Sequence, residues 1–314
     1  MTFYWLIMMT IILSFSTNSF LFLWICLEIN MMSFIPLMNS KTLISSNSMM
    51  LYFLIQASAS SIFMMSISMT SFSWNPQIYF TMLTMILMLV KMAAIPFHFW
   101  FPQVSEGLTY SSFFILSSLQ KIIPLYIMSI LKEKMLIPFI IMTSMGGSIL
   151  GFNQFSIRKI LAFSSITHLA WMMTLIYINS NIWILYMMVY STILFLMINF
   201  FDKNNLNSMN SSKLLLKEEK IFMIIMLMSL GGLPPMIGFI MKWISLNIII
   251  THMKLLTIPL IISSIINLYF YTRLTFSLLL KNFQLNKWSK KLKTSLMMMI
   301  IPNFMMILIM IPMM

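Results

Sequence analysis

The sequence predicts an all-α polytopic membrane protein with about eleven transmembrane helices. Three observations predict it. First, the 314 residues are 60% hydrophobic and only 8% charged, with a mean hydropathy of +0.95, whereas a water-soluble domain carries roughly a quarter charged residues. Second, apolar runs recur along the whole chain, and since a spanning helix takes about 20 apolar residues there is room for about ten or eleven. Third, the basic residues fall almost entirely on alternate connections between those runs.

The runs place helices at about 2–16, 20–38, 48–70, 78–101, 109–131, 135–153, 159–178, 181–201, 220–250, 255–280 and 294–312. Short polar stretches separate them, such as STNS at 16–19 between the first two. The first run is short for a span and calls for a shift or tilt. The N-terminal MTFYWLIMM has no basic segment and no cleavage-like site, so it reads as a retained helix and not a signal peptide.

The net charge of +13 is distributed as membrane topology, with no pattern that suits nucleic acid. Connections after even-numbered runs hold Lys41, Arg158, Lys159, Lys203, Lys213, Lys217, Lys220, Lys281, Lys287, Lys290, Lys291 and Lys293. Those after odd-numbered runs hold only Lys132, Lys134 and Lys254. Positive charge is retained on the cytoplasmic or matrix side, which puts the N-terminus there and, after eleven helices, the C-terminus on the opposite side.

Several chemistries are excluded or unsupported. The single cysteine, Cys26, permits no intrachain disulfide and no cysteine-ligated iron–sulfur cluster, which takes about four thiolates. The three histidines, His98, His168 and His252, are not spaced as haem pairs. The 39 methionines are scattered through the apolar runs and read as apolar filler. Abundant Met, Ile, Asn and Lys with few Gly and Ala suggest an AT-rich genome of the organellar kind.

Four basic residues remain inside predicted helices: Lys91, Lys121, Lys242 and Arg273. Of the six acids, Glu28 alone lies deep in a run. Arg273 is about one turn from a helix end and can snorkel. Each of Glu28, Lys91, Lys121 and Lys242 opposes insertion by about 2.5–3.5 kcal/mol on translocon scales, roughly 10 kcal/mol or more together. Such residues either snorkel and tie helices together or mark an ion path.

Three of them stand beside helix irregularities. In LVKMAAIPFHFWFP, 89–102, Pro96 removes the hydrogen bond to the Met92 carbonyl, so Lys91 would fall in a last helical turn, at the negative end of the dipole. Pro124 likewise frees the carbonyl of Gln120 next to Lys121, with Ser117 one turn below on the same face. In SLGGLPPMIGFIMKW, three glycines and two prolines precede Lys242, which places it near the positive start of a second half-helix. The helix-end fields at Lys91 and Lys242 are therefore expected to differ in sign. The broken fourth and ninth helices lie five apart, which predicts two inverted five-helix repeats, about 1–131 and 135–280, with a final helix at about 294–312.

His168, in AFSSITHLAWM with Ser164 and Ser165 nearby, fits either a hydrated proton path or a buried hydrogen-bonded histidine. His98 lies beyond the first break, where shaping it is the simpler role. Glu28 requires a cation partner in the membrane, and Lys91, on the other charged helix of the first half, is the candidate.

At these residues the chain resembles a known family. LEINMMSFIPL, KMAAIPFHFWFPQVSEGLT, LQKIIPL, RKILAFSSITHLAWM and GGLPPMIGFIMKW, in order over about 20–250, resemble the antiporter-like membrane subunits of respiratory complex I, relatives of Mrp-type cation/proton antiporters. The eleven-helix layout agrees with an animal form that lacks three N-terminal helices. Two departures are Met92, where a small Ser or Thr is usual, and the short first helix.

The resemblance implies an antiporter-like fold and proton translocation across the mitochondrial inner membrane coupled to NADH:ubiquinone electron transfer. Its proton-carrying positions fall on Glu28, Lys91, Lys121, His168 and Lys242. It implies no cofactor on this chain; NADH, FMN, iron–sulfur clusters and ubiquinone belong to the assembled enzyme, an H+-translocating reductase of which this would be a subunit without activity of its own. The implied partners are the other membrane subunits and the lipid bilayer, with no nucleic acid. A free-standing cation/proton antiporter is the alternative, and a membrane scaffold whose charges only orient helices is a third reading.

Overall fold

The computed structural model describes residues 2–69, 76–131, 135–204, 217–234 and 236–280. Every element among them is a helix: α1 (Thr2–Ser16), α2 (Phe20–Met38), α3 (Leu43–Met69), α4 (Pro76–Met92), α5 (Trp100–Gly107), α6 (Tyr110–Ser117), α7 (Leu119–Leu131), α8 (Leu136–Phe152), α9 (Ile157–Tyr177), α10 (Ile182–Lys203), α11 (Lys217–Gly231), α12 (Ile237–His252) and α13 (Lys254–Leu280). These segments account for the first ten predicted runs. Two of those runs are interrupted within their bounds, giving the pairs α6–α7 and α11–α12, while the fourth ends early at Met92 and is followed by α5, which lies mostly beyond the expected end at 101. The expected helix at 294–312 lies outside the described residues. Among the described residues, six stretches are long and apolar enough to cross a membrane unaided, with α6 and α7 counted as one, and four more helices are apolar but shorter.

The bundle is organised around α9, which is buried along nearly its whole length and packs against α5, α6, α7, α8, α10, α12 and α13. Small residues permit this crowding. A Cβ on Gly147 of α8 would stand 2.9 Å from Thr167 Cγ2, and one on Gly151 would stand 3.1 Å from Phe163 Cβ. This small-xxx-small face lets two helix backbones approach where lipid supplies no hydrophobic drive.

The first break is closed by a hydrogen-bonded turn. Ala93 takes the left-handed conformation (φ 60°), its N–H reaches Val90 O at 3.1 Å, and Ala94 N–H reaches Leu89 O at 2.9 Å. This is a Schellman motif, so α4 stops at Met92, three residues ahead of where Pro96 alone would act. The second break ends the same way: Gly232 (φ 82°) donates to Ser229 O at 3.2 Å and Leu233 N–H to Met228 O at 3.2 Å.

The third interruption is not at Pro124, which α7 accommodates, but at Ser118. There the hydroxyl and the backbone N–H both donate to Phe114 O, at 2.5 and 3.0 Å. A serine hydroxyl competing for a helical carbonyl offers the chain another path, and Lys121 N–H turns instead to Ser118 O.

Candidate functional site

Lys91, Lys121 and Lys242 are 7%, 2% and 7% exposed, so none of them snorkels within this chain. Each sits near a break, and each environment differs.

Lys91 occupies the last turn of α4. The carbonyls at this helix end are taken by neighbours: Val90 O accepts from Trp100 Nε1 at 3.1 Å and Lys91 O from Gln56 Nε2 at 3.3 Å. Gln56 and Tyr52 lie one turn apart on α3, and Tyr52 OH donates to Gln120 Oε1 at 3.2 Å. Gln120 Nε2 in turn reaches Asn30 Oδ1 at 3.1 Å. A polar face of α3 thus runs from Lys91 to the residue beside Lys121. Glu28, half-buried on α2, is the acid whose field reaches Lys91, but the two side chains form no ion pair within 4.0 Å. His98 bonds Pro96 O at 3.2 Å through Nδ1 and so forms part of the break itself.

Lys121 donates through Nζ to Ser165 Oγ at 3.1 Å and Ser165 O at 3.3 Å. Its ammonium also lies 4.7 Å from the centre of the Phe101 ring, within cation–π range. The expected neighbour Ser117 is not a partner, because its hydroxyl donates to Phe114 O. Phe101 belongs to α5 and Ser165 to α9, so Lys121 joins the far side of the first break to the central helix.

His168 is buried on α9, with Nδ1 2.8 Å from Tyr186 OH and its ring 4.8 Å from that of Tyr190. It lies within electrostatic reach of both Lys121 and Lys242. A cavity of about 10 Å³ adjoins it, lined by Tyr186, Tyr190, Ser229, Gly238 and Met241 among others. That is close to the smallest space that holds one water. The cavity connects His168 to the second break, where Ser229 and Gly238 face each other. A Cβ on Gly238 would overlap the Ser229 carbonyl oxygen, so only glycine permits the half-helices to approach this closely.

Lys242 corrects the sequence reading. It is the sixth residue of α12, and its side chain folds back across the break. Nζ donates to Gly231 O at 2.9 Å and Leu230 O at 3.4 Å, the last carbonyls of α11. The ammonium therefore meets the negative end of α11 and not the positive start of α12 that its place in the sequence suggested. The two carbonyls are those a Schellman turn leaves without partners.

The structure thus places Lys121 against Ser165 of α9, puts His168 within electrostatic reach of Lys121 and Lys242, and holds the backbone of Lys91 through Gln56, one turn from the Tyr52 that bonds Gln120. Sequence reasoning did not single out Tyr52, Gln56, Tyr186 and Tyr190, although each pair is spaced i, i+4 and so marks one helix face. Among the described residues, no three His, Cys, Asp or Glu side chains converge as metal ligands would.

Fold and site together define a polytopic helical membrane protein with two broken helices and buried lysines against a central polar helix. The family model described as NADH:quinone oxidoreductase/Mrp antiporter, transmembrane, matches residues 17–267, and the chain belongs to that family. It is 40% identical over 289 residues to NADH-ubiquinone oxidoreductase chain 2 of Anopheles gambiae, covering 88% of this chain and 84% of the relative. The protein of that name from Locusta migratoria is 36% identical, over 96% of this chain and 91% of the relative. Among solved structures, a chain of respiratory complex I from Thermus thermophilus with bound aureothin matches the fold with a TM-score of 0.80 at 18% identity, over 87% of this chain and 69% of that one. A chain of the Mrp complex from Dietzia sp. matches with a TM-score of 0.76 at 15% identity, over 88% and 59%.

Proposed function

We propose that this chain is a core membrane subunit of respiratory complex I that carries protons across the mitochondrial inner membrane. The carrying observation is that Lys121 bonds Ser165 of α9, His168 lies one turn further along α9 within electrostatic reach of both Lys121 and Lys242, and Lys242 bonds Leu230, which lines the cavity beside His168. Lys91 joins through the α3 amide and phenol, and Glu28 acts on Lys91 through its field. Isolated charges at this depth are costly, and a line of them between broken helices suits a proton path. The groups hold, accept and pass protons, while electron transfer between NADH and ubiquinone, with FMN and iron–sulfur clusters, takes place in partner subunits.

The two breaks support the reading as inverted repeats of about 1–131 and 135–280. Each repeat has its break in the fourth of five spans, and each break closes on the same turn. The charge pattern supports an N-terminus on the matrix side and a C-terminus toward the intermembrane space.

The test is Lys121→Met and Lys91→Met in the assembled complex reconstituted in liposomes. Assembly is expected to persist and coupled proton translocation to fall. Normal turnover with normal pumping in both variants would remove the proton-path assignment. The likeness to the Mrp complex keeps a free-standing antiporter as the second reading. Stoichiometric co-purification with a flavin and iron–sulfur enzyme decides against it.

A further inference from the structure

Two contacts fix the antiparallel register of α2 and α3. Trp24 Nε1 donates to Ser60 O at 3.1 Å, and the centres of the Phe34 and Tyr52 rings stand 5.2 Å apart. Glu28 is one helical turn beyond Trp24 and Gln56 one turn before Ser60, so the acid and the amide share one level. Gln56 is buried, and its Nε2 donates to Lys91 O at 3.3 Å. Three successive helices thus carry Glu28, Gln56 and Lys91 at one height, with α3 packed against both α2 and α4.

Opposite charges in a low-dielectric interior attract strongly, and a lysine has a flexible four-carbon stem with which to close on an acid. Glu28 and Lys91 interact through their fields but form no contact pair; the ion pair among the described residues is that of Glu106 with Lys159. The other titratable groups near the end of α4, and on the helices α3 and α7 packed against it, are engaged elsewhere. Tyr52 bonds Gln120, Tyr126 bonds Asn18, Lys121 bonds Ser165 and His98 bonds Pro96 O. What restrains Lys91 acts on its backbone, where Gln56 ties the last turn of α4 to α3. That tie is braced in turn, because Tyr52, one turn from Gln56, donates to Gln120 of α7, and Gln120 reaches Asn30 of α2 at 3.1 Å. All four groups are uncharged, so the brace holds in either charge state of the pair.

We propose that Gln56 is a positioning residue for the Glu28–Lys91 pair: it fixes the end of α4 so that Glu28 acts on Lys91 through its field without closing on it. This rests on the proton-path reading above and deepens it at one place. The distinction is chemical. An ammonium in contact with a carboxylate gives up its proton less readily than one that only feels the carboxylate from a distance. The spacer keeps Lys91 an exchangeable carrier instead of half of a static ion pair. Gln56 itself takes up and releases no proton, so its action runs through Lys91.

The test uses the assembled complex in liposomes. Gln56→Met keeps the side-chain length without the donor. Gln56→Asn keeps a polar amide but is one methylene too short for a carbonyl already 3.3 Å away, and it carries the comparison if the methionine variant fails to assemble. Each is expected to lower coupled proton translocation several-fold and to move its pH profile to higher pH. Adding Glu28→Gln removes the acid on which Lys91 closes, so each double variant is expected to match Glu28→Gln alone. Trp100→Phe is the control, since it deletes the neighbouring donor to Val90 O and is expected to leave the pH profile in place. Three results refute the spacer: Gln56 variants with a normal profile while Glu28→Gln is impaired, an equal displacement in Trp100→Phe, or a Gln56 loss that adds in full to that of Glu28→Gln. If Glu28→Gln itself pumps normally, the pair is off the path, and the proton-path reading fails at Lys91 together with its spacer.

Discussion

Replacing Gly238 with alanine isolates the close approach on which the second break depends. The added Cβ would overlap the Ser229 carbonyl oxygen and stand 3.0 Å from the carbonyl carbon. Carbon atoms pack comfortably at about 3.5–4.0 Å, so α11 and α12 must separate by at least about 0.5–1.0 Å. Lys242 spans the same gap with bonds of 2.9 and 3.4 Å. The longer is already at the limit of a useful N–H···O distance, and the shift carries it past about 3.5 Å and strains the other. Overpacking of this kind costs typically about 1–3 kcal/mol, here added to a loosened ammonium. The assays are the heat stability of the assembled complex and its proton translocation in liposomes. Gly231→Ala is the control, because its Cβ meets Tyr271 Cδ2 at an ordinary 3.5 Å; it is expected to change stability by no more than about 0.5 kcal/mol. Equal stability and equal pumping in the two variants would refute the claim that the break requires glycine at 238.

Lys242→Met removes the only donor that the described structure gives to Leu230 O and Gly231 O, so it is expected to lower heat stability more than Lys91→Met, whose neighbouring carbonyls keep Trp100 and Gln56. The reverse order would argue against Lys242 as a helix cap. Glu106→Gln deletes the 2.7 Å ion pair with Lys159. Both side chains are partly exposed, so the loss is expected to stay within about 1 kcal/mol and to shrink at high salt in a melting series, while Arg158 keeps its 2.8 Å bond to Glu106 O. Single cysteines at Phe155 and Leu255, 86% and 84% exposed, together with one at Lys41, report topology against the buried Cys26. An impermeant thiol reagent is expected to label positions 41 and 155 from one face and 255 from the other, and labelling 155 and 255 from the same face would overturn the charge-based orientation.

The helices were legible because apolar length is the main constraint on a spanning segment, and both breaks were legible because Pro96 and the GGLPP run carry their own backbone chemistry. What the sequence did not disclose were local choices among carbonyl partners. At Ser118 a hydroxyl, a residue type common in every helix here, diverts the chain, whereas Pro124 six residues on is absorbed. The end of α4 is set by Ala93, which has no preference for the left-handed region. The candidate site residues were singled out by their charge, the costliest property in a membrane. The neutral groups beside them were missed: the Tyr52/Gln56 and Tyr186/Tyr190 pairs. The i, i+4 spacing of each was visible, but nothing in one helix indicates which other helix it faces.

The direction of Lys242 is the most informative of these omissions. Position along the sequence assigned it to the start of α12, whereas its long side chain delivers the charge to the end of α11. Where a lysine acts is set by its nitrogen and not by its Cα. Both breaks use the same turn, and both leave their last carbonyls in need of donors, but they meet that need differently. At the first break the Gln56 amide donates to Lys91 O, so that carbonyl does not depend on the lysine's own ammonium. At the second break the donor is the titratable group itself. On the proposed proton path, loss of a proton from Lys242 would leave a neutral amine with two hydrogens for two carbonyls, but without the charge that strengthens those bonds. The tie between α11 and α12 would then weaken, so the proposal predicts that Lys242 couples its protonation state to this break through the bonds to Leu230 O and Gly231 O.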